Sequence, residues 1–343
     1  MNKPSRHRPP EVVVITGASA GVGRATAHRL ARSGARVALT DCAREALDHA
    51  AEEVRELGGE AIAVPLDVAD AEAMEAAAER IESELGPIDI WINAAMATIF
   101  APVSEIQPEE FRRATDVTYL GTVHGTMAAL KRMRPRNRGH IVQVGSALSY
   151  RAIPLQSAYC GAKFAIRGFT DALRVELMHD RSAVSLTMVQ LSAFNTPQFQ
   201  WARTRLSKRP QPVPPIYQPE VAADAIYWAA HHRRRELWVG FPAVKAIIGN
   251  ALAPWLADRK LMKQGYSGQM DDQSLPEQRP DNLFEAVHED YGTHGRFDRR
   301  AKSRSPQLWL ATHRGAVLAG ALALGAMVIG RLHAPRRLRG SSR

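Results

Sequence analysis

Glu11-Val12-Val13-Val14-Ile15-Thr16-Gly17-Ala18-Ser19-Ala20-Gly21-Val22-Gly23 is the stretch on which the fold turns. Its first half is a short β-branched apolar block, the pattern of a strand buried on both faces of a parallel sheet. It ends in glycines spaced G-x-x-x-G-x-G, and Ala20 to Leu30 then reads as a helix. Gly17, Gly21 and Gly23 therefore fall at a strand-to-helix turn, where bare backbone can approach a pyrophosphate and the helix N-terminus favours negative charge. A glycine triplet alone would serve equally as an ordinary turn. Strand, turn and helix in register point to a dinucleotide site.

A second strand, Arg36-Val37-Ala38-Leu39-Thr40, ends at Asp41, and a third, Ala61 to Leu66, closes on Asp67-Val68. This alternation gives an α/β chain with a Rossmann-type, doubly wound parallel sheet flanked by helices. Asp41 stands where an acid can bind the adenosine ribose hydroxyls, and a carboxylate there disfavours a ribose 2'-phosphate. No Lys or Arg lies between Thr16 and Gly23, and Cys42 rather than a basic residue follows Asp41. NAD is thus expected over NADP, the competing reading of Asp41 being a solvated strand-end acid.

Tyr159-Cys160-Gly161-Ala162-Lys163 carries the chemistry, together with Ser146 thirteen positions upstream. A tyrosine and a lysine four apart on a helix share a face, so the ammonium is expected to lower the phenol's pKa and hold phenolate near neutral pH. Tyr159 becomes a general acid or base. Y-x-x-x-K alone is common on helices; joined to Ser146 and the glycine turn it describes a hydride-transfer enzyme.

On these motifs the chain resembles the short-chain dehydrogenase/reductases, in the single-domain branch with a T-G-x-x-x-G-x-G turn, over about residues 11 to 242. The resemblance implies that Gly17, Ser19, Gly21, Val22 and Gly23 surround the cofactor phosphates, Asp41 the adenosine ribose, and Asp67 and Val68 the adenine. It implies that Asn93 lines the cofactor cleft after a fourth strand, Ile88 to Ile92. Ser146, ending the strand Ile141 to Val144, would orient the substrate oxygen, with Tyr159 as acid/base and Lys163 bonded to the nicotinamide ribose. Three positions depart from the family pattern. Asn93-Ala94-Ala95-Met96 stands for Asn-Asn-Ala-Gly. Thr118 stands for the catalytic asparagine, whose main-chain carbonyl holds a relay water. Ser192-Ala193 replaces Pro-Gly after the sixth strand, Val184 to Gln190, while Thr196-Pro197 is kept, leaving Thr196 to meet the nicotinamide carboxamide.

The chain runs about a hundred residues past one such domain. We divide it into a basic arm (1–10), the catalytic domain (11–242), an extension (243–307), an apolar segment (308–332) and a basic tail (333–343). Within the domain, residues 197–219 are rich in Pro and aromatics and are expected to cover substrate; a Pro-rich spacer is the alternative. The last strand is expected at Glu236 to Gly240. In the extension, Val244 to Leu256 has helical spacing and Gly265 to Asp281 reads as polar turn.

Net charge is +10, yet residues 299–343 hold ten Lys plus Arg and no acid, which leaves 35 basic against 35 acidic residues elsewhere. The catalytic part is near neutral, and no nucleic-acid partner is expected. The basic excess flanks the apolar run Gly315 to Gly330, bounded by Arg314 and Arg331 and extended upstream by Leu308-Trp309-Leu310. Sixteen residues fall short of the ~20 of a spanning helix, but snorkelling arginines can lengthen it. Membrane association through 308–332, with the catalytic domain in the cytoplasm, is therefore expected, a buried helix or dimer interface being the alternative. No signal peptide is read in residues 1–10. The two cysteines suggest a reducing compartment, and the twelve histidines show no metal-ligand spacing, so no metal is expected.

The function that follows is a NAD-dependent oxidation of a secondary alcohol, or reduction of the matching ketone, by a homo-oligomer, with an apolar small-molecule substrate. A non-catalytic dinucleotide-binding scaffold is the competing class. An epimerase or dehydratase of the related extended branch fits less well, because that branch carries G-x-x-G-x-x-G.

Overall fold

The computed structural model describes residues 10–315 together with 317 and 319. Seven strands form one parallel sheet: β1 (Val12–Thr16), β2 (Arg36–Asp41), β3 (Glu60–Pro65), β4 (Ile88–Asn93), β5 (His140–Ser146), β6 (Ser185–Leu191) and β7 (Glu236–Val239). Their spatial order is 3-2-1-4-5-6-7. The order reverses between β1 and β4, the point at which open parallel sheets bind ligands. All five residues of β1 are buried, so its β-branched run has both faces covered, as read from the sequence.

The first eight helices are α1 (Gly21–Ala31), α2 (Arg44–Glu56), α3 (Ala71–Leu85), α4 (Pro108–Thr115), α5 (Gly121–Met133), α6 (Ser157–His179), α7 (Gln198–Trp201) and α8 (Pro219–His231). On one side of the sheet, Leu30 of α1, Leu47 of α2 and Ile226 of α8 share a core with Val13 and Ile15. On the other, Met74 and Ile81 of α3, Met133 of α5 and Leu173 of α6 pack with Val14 and Trp91. The apolar spacing of these six helices thus faces the sheet.

After β7 come α9 (Phe241–Leu252) and α10 (Pro254–Gln264). The single periodic run read over Val244 to Leu256 is broken because Pro254 lacks an N–H and holds Ala253 out of helical conformation, at φ −149°. The turn-rich stretch that follows is not free loop. Met270–Ser274 pairs antiparallel with Lys208–Pro210. Ala301–Lys302 pairs in parallel with Ile216–Tyr217, which pairs with Ala193–Phe194. The extension is therefore woven into the 193–217 region that borders the sheet's carboxyl ends.

Helix α11 (Pro306–Thr312) is a further correction to the sequence reading. Leu308, expected to lengthen the apolar run, instead joins the core on the α1 and α8 side. Gln307 beside it accepts from the Gly240 amide and donates to the Trp238 carbonyl, fixing α11 to the end of β7. Among the described residues no helix is long and apolar enough to cross a membrane. The remainder of the apolar run, the basic tail and the N-terminal arm lie outside the described residues, apart from Pro10, Gly315, Val317 and Ala319.

Gly125 of α5 shows how closely helix and sheet meet: a Cβ there would lie 2.4 Å from Asn93 Oδ1 and 2.8 Å from Trp91 Nε1. Gly125→Ala should therefore cost about 1–3 kcal/mol through overpacking. Chemical denaturation checks this, and an unchanged midpoint would show that the two layers can part without loss.

Candidate active site

A cavity of about 960 Å³ lies along the carboxyl ends of the strands. One end is walled by the glycine turn. Gly17 has φ +72°, and a Cβ on it would stand 2.7 Å from Ala95 Cα. At Gly23 a Cβ would come within 2.0 Å of the Gly17 carbonyl oxygen. These are contacts that only glycine permits, and they bring backbone bare of side chains to the N-terminus of α1, where a pyrophosphate is favoured. Ser19, Gly21, Val22 and Gly23 all border this part of the cavity.

Asp41, Asp67 and Val68 border the same end. Asp41 accepts from the amides of Ser19 (3.4 Å) and Ala43 (3.2 Å), which presents its carboxylate beside the turn. Asp67 forms an ion pair with Arg113 at 2.6 Å and accepts from the Ala69 amide. Val68 is held from behind by Gly121, where a Cβ would strike its Cγ2 at 2.6 Å. The residues read for the adenosine half are thus brought together.

At the inner end stand Ser146, Tyr159 and Lys163. Ser146 closes β5; its hydroxyl accepts from the Leu148 amide and lies close enough to the Tyr159 phenol to favour its ionised form. Lys163 lies one helical turn beyond Tyr159 on α6, and its Nζ donates to the Val144 carbonyl at 2.7 Å. The expected lowering of the phenol is not found. Burial pushes Tyr159 upward, with the Ser146 hydroxyl a smaller opposing effect. Burial likewise pulls Lys163 down to about 8. Removed from bulk solvent, each group is shifted toward its neutral form, and the ammonium, 5.5 Å from the tyrosine ring centre, is directed at a carbonyl rather than at the phenol.

Two expected residues take other places. Asn93 does not border the cavity. It is buried in a network, accepting from Trp91 Nε1 at 2.9 Å and donating to Gln143 Oε1 at 2.9 Å and Thr126 Oγ1 at 3.1 Å. Ala94 to Ala97 form the cavity wall instead, so Met96 does line the cleft. Thr118 sits in a π-helical turn, Asp116–Leu120, and its hydroxyl exchanges bonds with both backbone groups of Ala97, at 2.9 and 3.0 Å. Its carbonyl accepts from the Thr122 hydroxyl. Thr118 therefore holds the wall loop, while its neighbour Val117 borders the cavity.

Thr196 does reach the site, with its methyl 3.2 Å from where a Gly21 Cβ would be. Ser192, one of the departures, also borders the cavity, and its buried hydroxyl has no hydrogen-bond partner among the described residues. An orphaned polar atom of this kind suits the amide end of a bound cofactor. Residues 197–219 contribute Phe199, Trp201, Val213 and Tyr217 to the cavity lining.

Sequence reasoning missed the strap that returns from the C-terminal side. The Gly21 amide donates to the Gly292 carbonyl at 3.1 Å, and Gly295 and Phe297 bond the backbone and side chain of Asn195. Arg24, buried in α1, pairs with Asp290 and with Glu53 (2.7 Å), and donates to the Ser19 carbonyl at 3.1 Å. The turn is thereby fixed from behind by a residue 266 positions away, a pairing no local pattern announces. Among the described residues no cluster of side chains could hold a metal ion.

The family model for short chain dehydrogenases matches residues 11–206. An uncharacterized oxidoreductase of Bacillus subtilis, YxnA, is 33% identical over 317 residues, covering 92% of this chain and 88% of that one. A putative oxidoreductase of Mycobacterium tuberculosis, SadH, is 37% identical over 186 residues, 54% of this chain and 67% of that one. Among solved structures, a short-chain dehydrogenase from Streptomyces avermitilis superposes with TM-score 0.62 at 25% identity, over 76% of this chain and 99% of that one. An alcohol dehydrogenase of Thermococcus sibiricus complexed with 5-hydroxy-NADP gives 0.58 at 27% identity, over 67% and 95%.

Lys163 makes the electrostatics testable. Its pKa stands near 8 in the fold against an ordinary 10.5, so between those values the unfolded chain binds the extra proton and stability from this group rises with pH. Wild type should gain on Lys163→Met across that window by up to about 1.4 kcal/mol per pH unit. Thermal melts read the difference, and a gap independent of pH would mean that the ammonium is buried without cost.

Proposed function

The chain belongs to the short-chain dehydrogenase family, and from that premise we propose that it is a NAD-dependent oxidoreductase interconverting an apolar secondary alcohol and its ketone. The observation that carries the reading is the Ser146–Tyr159 hydroxyl pair, with buried Lys163 beneath it, on the floor of a cavity whose other end is a glycine cradle. A bound nicotinamide dinucleotide would supply the hydride acceptor or donor. Gly17, Ser19, Gly21, Val22 and Gly23 would hold its phosphates, Asp41 its ribose, Asp67 and Val68 its adenine, and Ser192 and Thr196 its carboxamide. Ser146 donates to the substrate oxygen, and Tyr159 takes the hydroxyl proton of an alcohol or gives one to a ketone. Because burial favours the neutral phenol, the free protein holds Tyr159 in the proton-donating form. Lys163, tied to Val144, fixes the helix that carries Tyr159, and its ammonium would hold the ribose of a bound cofactor. Thr118 contributes by holding the Ala97 loop.

An apolar substrate is supported by the walls near Tyr159, where Leu148, Ile153, Phe199 and Val213 face the cavity. Assembly into a homo-oligomer, attachment of the 308–332 region to a membrane and a cytoplasmic catalytic domain belong to the same proposal. The attachment is supported by the apolar composition between Arg314 and Arg331.

Tyr159→Phe should lower turnover by roughly a hundredfold or more while leaving NAD affinity nearly intact. Assay across a panel of alcohols and ketones, beside calorimetric titration with NAD, measures both. Wild-type turnover in the variant would refute the acid/base assignment, whereas a parent that binds NAD but turns over no substrate would favour a scaffold.

NAD should bind more tightly than NADP, because the Asp41 carboxylate would oppose a 2'-phosphate. Asp41→Ala with Cys42→Arg should reverse the order by placing a guanidinium there. Titration of parent and variant with both cofactors decides it, and tighter NADP binding by the parent would exclude the assignment.

A further inference from the structure

Helices α9 and α10 leave an apolar surface that nothing among the described residues covers. None of the eleven residues of α10 is buried. Leu252 is 75% exposed, Met262 72% and Trp255 56%, with Phe241, Ile248 and Leu256 exposed beside them. Phe241, Ile248 and Leu252 recur at helical spacing on α9, and Trp255 and Met262, seven apart, align on α10. Surfaces this apolar on a folded chain mark contact with a partner or a lipid phase.

The charges select the partner. Exposed Lys245, Arg259, Lys260 and Lys263 stand on the same two helices as the apolar residues. Asp258, the single acid between 241 and 266, is neutralised by Arg151. A second copy docked face to face would set these four cations against the same four, because a two-fold contact places one patch upon itself. The chain's own basic tail is no better matched: residues 331–343 carry Arg331, Arg336, Arg337, Arg339 and Arg343 and no acid. Apolar and aromatic residues on helices that also carry these cations are complementary to an anionic bilayer, whose headgroups meet lysine and arginine while its acyl chains receive leucine and methionine.

The same helices form the cavity's outer wall, since Phe241, Lys245, Leu256 and Lys260 line it while exposed to solvent. We propose that the α9–α10 hairpin docks on an anionic lipid surface and turns the cavity mouth toward it, so that an apolar substrate passes between bilayer and site without crossing water. This surface is separate from the 308–332 region and is argued without it. The docking itself does not depend on the proposed reaction.

The test uses the full chain with Cys42→Ser and Leu252→Cys, labelled at position 252 with an environment-sensitive fluorophore; a parallel sample carries the label at Glu79→Cys on α3. Vesicles of phosphatidylcholine with phosphatidylglycerol should shift emission at position 252 to the blue, and brominated acyl chains should quench it, with position 79 unaffected. Both changes should be lost when Trp255 and Met262 are replaced by Glu, substitutions at surface positions that the fold does not bury. Flotation of the chain with vesicles while position 252 stays unshifted would assign attachment to the remainder of the chain and overturn the proposal. So would a shift that needs no lipid and grows with protein concentration, which would make the face a contact between copies. Absence of any vesicle binding would overturn it equally.

Discussion

The bond from Lys163 Nζ to the Val144 carbonyl fastens helix α6 to the end of strand β5. Strand β5 ends two residues later at Ser146, and Tyr159 lies four residues before the lysine, so this one contact sets the serine and tyrosine hydroxyls against each other. It is a costly contact to build, because an ammonium must leave water to make it, and the lowered pKa of Lys163 records that cost. A lysine placed there only for stability would be a poor choice compared with a leucine. Its presence suits the role proposed for it, a charge held beside a bound cofactor.

At the other end of the cavity the constraint is steric. Gly23 can lie against the Gly17 carbonyl only without a side chain, and that approach opens the backbone at the start of α1. Arg24 then secures the turn through Ser19 and reaches out to Glu53 and Asp290. Through Asp290 and Gly292 the C-terminal strap is tied to the glycine turn. The extension is thus part of the catalytic unit's architecture, stitched by short strands to residues 193–217 and closing the cavity that the sheet opens.

What the sequence made legible was local. Each sheet strand was visible as a β-branched or apolar block with a Gly, Asp, Asn or Ser at its end or within two residues after it, and the parallel arrangement followed from the helices between them. The glycine turn and the Ser146, Tyr159 and Lys163 set were visible because their chemistry lies within single turns or one helix-and-strand pair. Less legible were features set by long-range burial. Asn93 reads like a cleft residue but is drawn into the sheet by Trp91, Thr126 and Gln143, and Thr118 is taken up by Ala97. The direction of the Tyr159 shift could not be read from an i,i+4 lysine, because desolvation outweighs a charge aimed elsewhere. Strand 270–274 has a polar sequence and exists only because residues 208–210 offer it an edge.

The central claim is that one dinucleotide spans this cavity from the glycine turn to Tyr159. A crystal structure of the full chain with NAD measures it directly. The account places adenine against Asp67 and Val68, pyrophosphate on the Gly17 to Gly23 turn, and the nicotinamide ring beside Ser192 and Thr196 with its C4 facing the Ser146 and Tyr159 hydroxyls. A dinucleotide bound elsewhere, or one whose nicotinamide points away from Tyr159, would contradict it.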